Sequence, residues 1–273
     1  MDGSSRESMR AALGRFEEQV GSGSDGGGSQ EISEGLYAVA GLLDREPSLR
    51  RALTDPASSP DSRRGLVQAL LGSQLPALPL QVLSDLVASP WHSPVDLREA
   101  VETLAAQAAL VAAEGDGVLD DVEDELFRFA RLLEREPELR AALTDPALPD
   151  DRKSGLLRAL LGDRARPATV RLVEVAVTRP RGRSLERVLE ELSRLAAARR
   201  QRVVAQVRVA AALDDRQTER LSAVLGRIYG RHVQLQVDID PTVLGGVQVR
   251  VGDEVLDGTV VRRLQDVRRR LSR

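Results

Sequence analysis

The chain has 273 residues, a formal net charge of −3 and no cysteine. Disulfides, thiolate metal centres and cysteine nucleophiles are therefore excluded, and no global charge pulls the molecule toward nucleic acid. Apolar residues are plentiful but aromatic ones few (Phe16, Tyr37, Trp91, Phe127, Phe129 and Tyr229), so the cores must be built from Leu, Val and Ala, as in closely packed helices.

In chain order, residues 1–20 come first. Ser4–Val20 predicts a helix with Met9, Ala12, Leu13 and Phe16 on one face, and the segment lacks the apolar core of a signal peptide. Residues 21–29 (GSGSDGGGS) read as a flexible linker by composition. Gly21, Gly23 and Gly26 also match G-x-G-x-x-G, but a dinucleotide fingerprint needs a strand before it and a helix opening at its last glycine. Here a helix precedes and more Gly and Ser follow, which favours the linker.

Beyond the linker the chain repeats itself. Gly41–Pro56 (GLLDREPSLRRALTDP) and Arg131–Pro146 (RLLEREPELRAALTDP) share 12 of 16 residues at an offset of 90. The register continues through Gly65-Leu66 and Gly155-Leu156, Ala69–Gly72 and Ala159–Gly162, to Pro90 and Pro180. A shared offset of this length implies a duplicated structural unit. The first copy is placed at residues 30–96 and the second at 97–201. One uncharged run, Gly65–Ser84, is long enough to span a membrane. Gly72, Pro76 and Pro79 within it and the charges of its repeat partner (Asp163, Arg164, Arg166) point instead to two short helices joined by a loop.

Each copy reads as a helical bundle. In the second, Leu126, Phe129, Ala130 and Leu133 follow helical spacing, and a short helix runs from Pro137 to Leu143. Asp150 is the expected cap of the next, and Pro167 opens one with Val170, Val173, Ala176 and Val177 inward. Ser184 caps a long helix with Leu185, Val188, Leu189, Leu192 and Leu195 inward. The equivalent helix of the first copy, about Val95–Glu114, can serve both copies, as last helix of one and first of the other.

Residues 202–273 change period. Val203–Val209 and His232–Asp240 alternate as half-buried strands, as do Val247, Val249 and Val251, with Val255-Leu256 a short edge. Between the first two, Asp214 or Asp215 caps a helix with Leu221, Val224, Leu225, Ile228 and Tyr229 on one face. Val260, Leu264, Val267 and Leu271 form the apolar face of a terminal helix. The expected fold is mainly α, tandem helical bundles followed by a small α+β domain with a strand-helix-strand-strand-helix unit.

No chemistry emerges. His92 and His232 lie in different expected domains without carboxylate clusters at ligand spacing, and no G-x-x-x-x-G-K-[ST] loop is present. No catalytic, cofactor-binding or metal-ligating residue is therefore assigned. The acidic run Asp120–Glu125 fits a helix N-terminus better than a cation site. Arg179, Arg181 and Arg183 could meet phosphate, but no aromatic stacking platform follows Tyr229. What is left is surface for partner helices.

The turn residues of the tail are specific. Asp240, Pro241, Gly245, Gly246, Gly252, Asp253, Asp257 and Gly258, with Leu264, stand in the run VDIDPTVLGGVQVRVGDEVLDGTVVRRL. This run resembles the C-terminal signature of the F-type ATP synthase delta subunit, the bacterial counterpart of the oligomycin-sensitivity-conferring protein. Thr259 stands where that family more often has Ser. Leu97–Arg273 matches the family plan of a six-helix bundle followed by a small α+β domain. The helical copy ahead of it is a departure, shared with the lengthened delta subunits of high-GC bacteria.

The resemblance implies a non-catalytic stator subunit, peripheral on the cytoplasmic face of the bacterial plasma membrane. Its bundle grips the N-terminal helices of the alpha subunits, its C-terminal domain holds subunit b, and it needs no cofactor. The expected alpha-subunit groove is the face bearing Val122, Leu126, Phe129, Leu172, Val173 and Ala176. The expected subunit b contact is Val260, Leu264, Val267 and Leu271. The first copy could bind alpha as well, or could cover the second copy's groove. Readings from other classes are a free helical-repeat adaptor and an arginine-dependent nucleic-acid regulator.

Overall fold

A computed structural model describes residues 3–21, 26–180, 182–200, 203–229, 233–240, 246–251 and 254–257. The chain divides into two compact units, Met1–Ala197 and Ala198–Arg273.

The first unit is helical. Its helices are α1 (Gly3–Gly21), α2 (Gly26–Arg45), α3 (Pro47–Ala52), α4 (Pro60–Leu71), α5 (Ala77–Ala88), α6 (Pro94–Gly115), α7 (Leu119–Arg135), α8 (Pro137–Thr144), α9 (Asp150–Leu161), α10 (Pro167–Thr178) and α11 (Leu185–Arg200). The repeat of the sequence is a repeat of structure: an offset of 90 carries α4 onto α9 and α5 onto α10 end to end. Equal residues make equal turns. In the shared Thr-Asp-Pro, Thr54 and Thr144 donate to the carbonyls of Arg50 and Arg140, at 3.0 and 2.8 Å. Asp55 and Asp145 each accept from the N–H two residues on, at 3.0 and 2.8 Å, closing an Asx turn that ends the short helix. A buried cation also recurs, Arg63 in one copy and Lys153 in the other. Arg63 donates to the carbonyls of Asp55 and Ala88, at 3.1 and 3.0 Å.

α6 organises this unit. Ser93 caps its start by accepting from Asp96 N–H at 3.2 Å. Gly117, at φ +69°, ends it with the 6→1 bond from Val118 N–H to the Ala113 carbonyl at 2.8 Å. Between these caps, Leu97, Ala100, Val101 and Leu104–Ala113 are all buried. A helix apolar on every side has to be enclosed, and its alanines let neighbouring helices approach closely. The first copy is α1–α6 and the second α6–α11, so both contain α6, and one continuous apolar cluster runs from Met9 to Ala196. The boundary drawn at residues 96/97 therefore falls inside the opening turn of α6, where the structure has no division.

Two expectations are corrected here. The linker placed at residues 21–29 is shorter, because α1 runs through Gly21 and α2 already begins at Gly26. Three glycines are poor helix formers, but Ser29 and Ser33 are buried, so tertiary packing imposes the helix. Asp150 lies within α9 and makes no side-chain cap; Pro149 holds the capping position.

Among the described residues the second unit is a mixed sheet with one helix against it. Its elements are β1 (Val203–Val209), α12 (Asp215–Tyr229), β2 (Val233–Ile239), β3 (Val247–Val251) and β4 (Glu254–Asp257), in the strand order β2-β1-β3-β4. β1 runs parallel to β2 and antiparallel to β3, and β4 closes against β3. A parallel pair needs a crossover, and α12 supplies it. Asp214 accepts from Gln217 N–H at 2.7 Å while the Gln217 side chain accepts from Asp214 N–H at 3.0 Å, a reciprocal capping box. The core is Ala205, Val207, Val209, Leu225, Val233 and Val249. Of the apolar face expected on α12, Leu221 and Leu225 meet this core, whereas Val224 and Ile228 are 36% and 60% exposed. The stripe is wider than the strip of sheet it covers. Gly246 takes φ +87° ahead of β3, as a turn glycine should. Together the units give a mainly α chain with a small α+β unit. The terminal helix expected over Val260–Leu271 lies outside the described residues.

Candidate helix-binding site

The residues expected to form the alpha-subunit groove do come together, but inside the protein. Val122, Leu126 and Phe129 of α7 and Leu172, Val173 and Ala176 of α10 are each at most 3% exposed and belong to the central apolar cluster. These strips are surfaces by which the second copy's helices cover one another, and of the six residues Leu172 and Ala176 also border an opening. The acidic start of α7 serves the same packing. Glu125 accepts from the Thr169 hydroxyl at 2.5 Å and from Arg166 N–H at 2.9 Å, and Asp121 pairs with the Arg166 guanidinium at 2.6 Å. Two carboxylates of the acidic run thus clasp the N-terminal end of α10, where the helix dipole favours negative charge.

An open groove lies next to this core, between α6, α10 and α11, with a volume of about 420 Å³. Ala106, Leu172, Ala176 and Leu192 line its apolar floor. On its rim Arg183 bridges Glu102 of α6, at 3.3 Å, and Glu191 of α11, at 3.1 Å. Leu172 and Ala176 were among the expected residues. The α6 and α11 walls were missed, although the inward strip Val188, Leu192 and Leu195 was legible from its spacing. What the strip could not show is that its Val188–Leu195 edge borders an opening.

Asp240 donates its N–H to the Val209 carbonyl at 2.9 Å, and Asp257 closes β4. Pro241, Gly245, Gly252, Asp253, Gly258, Val260, Leu264, Val267 and Leu271 lie outside the described residues.

No group of three or more His, Asp or Glu among the described residues could hold a metal ion. His92 donates its backbone N–H to the Ser5 hydroxyl oxygen at 2.9 Å, and His232 lies outside the described residues. Arg179 donates to the Tyr37 carbonyl at 2.8 Å and Arg183 is held by two carboxylates, so both arginines are engaged within the protein; Arg181 is not among the described residues. No helix among them is long and apolar enough to cross a membrane, the run Gly65–Ser84 included.

The described residues form a fused pair of helical bundles with a groove between helices, and a small mixed-sheet unit. Residues 104–271 match the family model described as the ATP synthase delta (OSCP) subunit. The chain is 51% identical over its whole length to the full length of the ATP synthase subunit delta of Parafrankia sp.. It is 48% identical to those of Streptomyces griseus and Frankia alni, again covering 100% of both chains. The chain belongs to the ATP synthase delta (OSCP) subunit family. The extra helical copy is within the aligned length of all three relatives.

Proposed function

We propose that the chain is a non-catalytic subunit of the peripheral stalk of a proton-translocating F-type ATP synthase. In this reading it joins the alpha subunits of the catalytic head to subunit b of the membrane sector. The rotor exerts torque on the head, and the chain resists it. The supporting observation is the pairing of family membership with a groove between α6, α10 and α11 that has an apolar floor and a charged rim. Such a groove suits the apolar stripe of an amphipathic helix, with the rim setting its register. An N-terminal helix of an alpha subunit is the proposed occupant. The face of Val260, Leu264, Val267 and Leu271 is proposed to meet subunit b. The complex lies peripherally on the cytoplasmic face of the plasma membrane.

The test is reconstitution. Membranes carrying ATP synthase stripped of this subunit recover proton-driven ATP synthesis when the full chain is added back. Leu195→Glu, a partly buried position on the groove wall, weakens rebinding to the isolated head at least tenfold. Leu264→Glu with Leu271→Glu leaves head binding intact and abolishes binding to subunit b. Recovery of coupled synthesis without the chain would refute the reading, and wild-type head binding by Leu195→Glu would remove the groove from it.

A further inference from the structure

The repeat relates two helix faces with different fates. On α2, Glu34, Tyr37 and Gly41 form one stripe, and α10 of the other copy lies against it. Arg171 pairs with Glu34 at 3.1 Å, Arg179 donates to the Tyr37 carbonyl at 2.8 Å, and Val175 lines the same groove as Tyr37. Gly41 leaves the room: a Cβ there would stand 2.9 Å from the Arg179 guanidinium. Tyr37 is buried.

The offset of 90 places Asp124, Phe127 and Arg131 of α7 at these three positions. On α7 the stripe faces solvent. Phe127 is 53% exposed, with the Arg131 guanidinium stacked 5.3 Å from its ring centre and paired to Glu134 at 2.8 Å, and with Asp124 paired to Arg128 at 2.5 Å; both pairs are exposed and open to exchange with a partner's charges. The last unit of a repeat array ordinarily turns a polar face outward, since no further unit covers it. α7 keeps an aromatic ring there instead.

We infer that the Asp124–Phe127–Arg131 face of α7 is a docking surface for an amphipathic helix of another subunit, distinct from the groove between α6, α10 and α11. Its occupant follows from the contact on α2. There the partner helix presents Arg171, Val175 and Arg179, four residues apart, to an acid, a ring and a glycine. Asp124 and Phe127 keep the first two features. Arg131 replaces the glycine, fills the seat that received the second guanidinium and reverses the charge required opposite it. The matching helix therefore carries a basic, an apolar and an acidic side chain at four-residue spacing on one face. The apolar one covers Phe127, and the two charges pair with Asp124 and Arg131. This rests on the reading of the chain as one subunit of a larger assembly.

The chain has no native cysteine, so Phe127→Cys gives a single attachment point. Labelled there with a benzophenone maleimide, the full-length chain is rebound to ATP synthase stripped of this subunit and irradiated. The expected product joins residue 127 to a helix of a different subunit. Phe127→Glu lowers the affinity for the stripped complex at least tenfold, and Arg131→Glu lowers it several-fold. Both variants keep the wild-type thermal melt, because both positions are exposed. Cross-linking to a second copy of this chain, absence of any cross-link, or wild-type affinity of Phe127→Glu each overturns the inference. Failure of the unmodified chain to rebind would sink the stalk reading itself, and this inference with it.

Discussion

Gly41→Ala should change the sign of its effect on stability when Arg179 is removed. A glycine inside a helix costs about 1 kcal/mol relative to alanine, so by propensity alone the substitution in α2 is stabilising. The structure opposes it, because the new methyl would stand 2.9 Å from the Arg179 guanidinium, which donates to the Tyr37 carbonyl at 2.8 Å. The guanidinium is the far end of a flexible side chain and can withdraw, but the charge-assisted bond is then lost. Such a bond contributes about 1.5–3 kcal/mol. The low end applies, since Arg179 is only partly buried and the Tyr37 carbonyl keeps its own helical bond from the Gly41 N–H. Gly41→Ala alone is then destabilising by roughly 0.5 kcal/mol, as a loss of about 1.5 exceeds a gain of about 1. In an Arg179→Ala background the same substitution is stabilising by about 1 kcal/mol. Urea unfolding followed by Trp91, the sole tryptophan and buried in the helical unit, measures all four corners of this cycle. Equal stabilisation by Gly41→Ala in both backgrounds would show that Arg179 is not seated over Gly41, and the clamp between the copies would have to be abandoned.

Three further outcomes follow from named contacts. Leu104→Ala, at a side chain 1% exposed in the middle of α6, costs about 2–5 kcal/mol, read as a lowered urea midpoint of the Trp91 transition. Asp214→Ala breaks the capping box of α12 and costs about 1 kcal/mol, visible as faster amide exchange in α12 and β1 with the Trp91 transition unmoved. Gly117→Ala forces a Cβ into φ +69° at the end of α6, costing about 1–2 kcal/mol by the same denaturation assay, whereas Gly155→Ala inside α9 is neutral or stabilising.

The fold was largely legible because period and punctuation agree in this chain. Ser93, Ser184 and Asp214 each accept an N–H at the helix start, and the strict alternation of Val233–Ile239 and Val247–Val251 became strands. Propensity misled where tertiary contact outweighed it. Gly26–Gly28 became helix because Ser29 and Ser33 are buried against the rest of the unit. The site was less legible for a related reason. An apolar stripe shows that a face will be covered, but not whether a partner or the chain's own helices will cover it. The stripe through Val122, Leu126 and Phe129 is needed for the core, while Phe127, between two of those residues, is exposed. One turn of α7 thus holds both an internal and an external surface, and burial tells them apart where hydrophobicity cannot. The repeat was the stronger signal, because it allowed Phe127 to be compared with a residue whose surroundings are known.

The sharing of α6 bears directly on how a duplicated bundle could transmit force. Two bundles joined by a flexible linker would pivot, and torque applied to one would be lost in the bend. Here the last helix of the first copy is the first helix of the second, so no hinge separates them. Bending the pair requires α6 itself to bend, or its alanine-lined contacts with α2 and α10 to open. The clamps Arg171–Glu34 and Arg179–Tyr37, between helices that belong to different copies, oppose rotation about α6. Each clamp is modest, and Arg171–Glu34 is a surface pair worth little alone. Leu97, Leu104 and Leu110 are buried on α6, and the clamps at its flank add contacts that rotation would have to break. A pair fused through α6 therefore has no joint between its copies, which suits the brace proposed above.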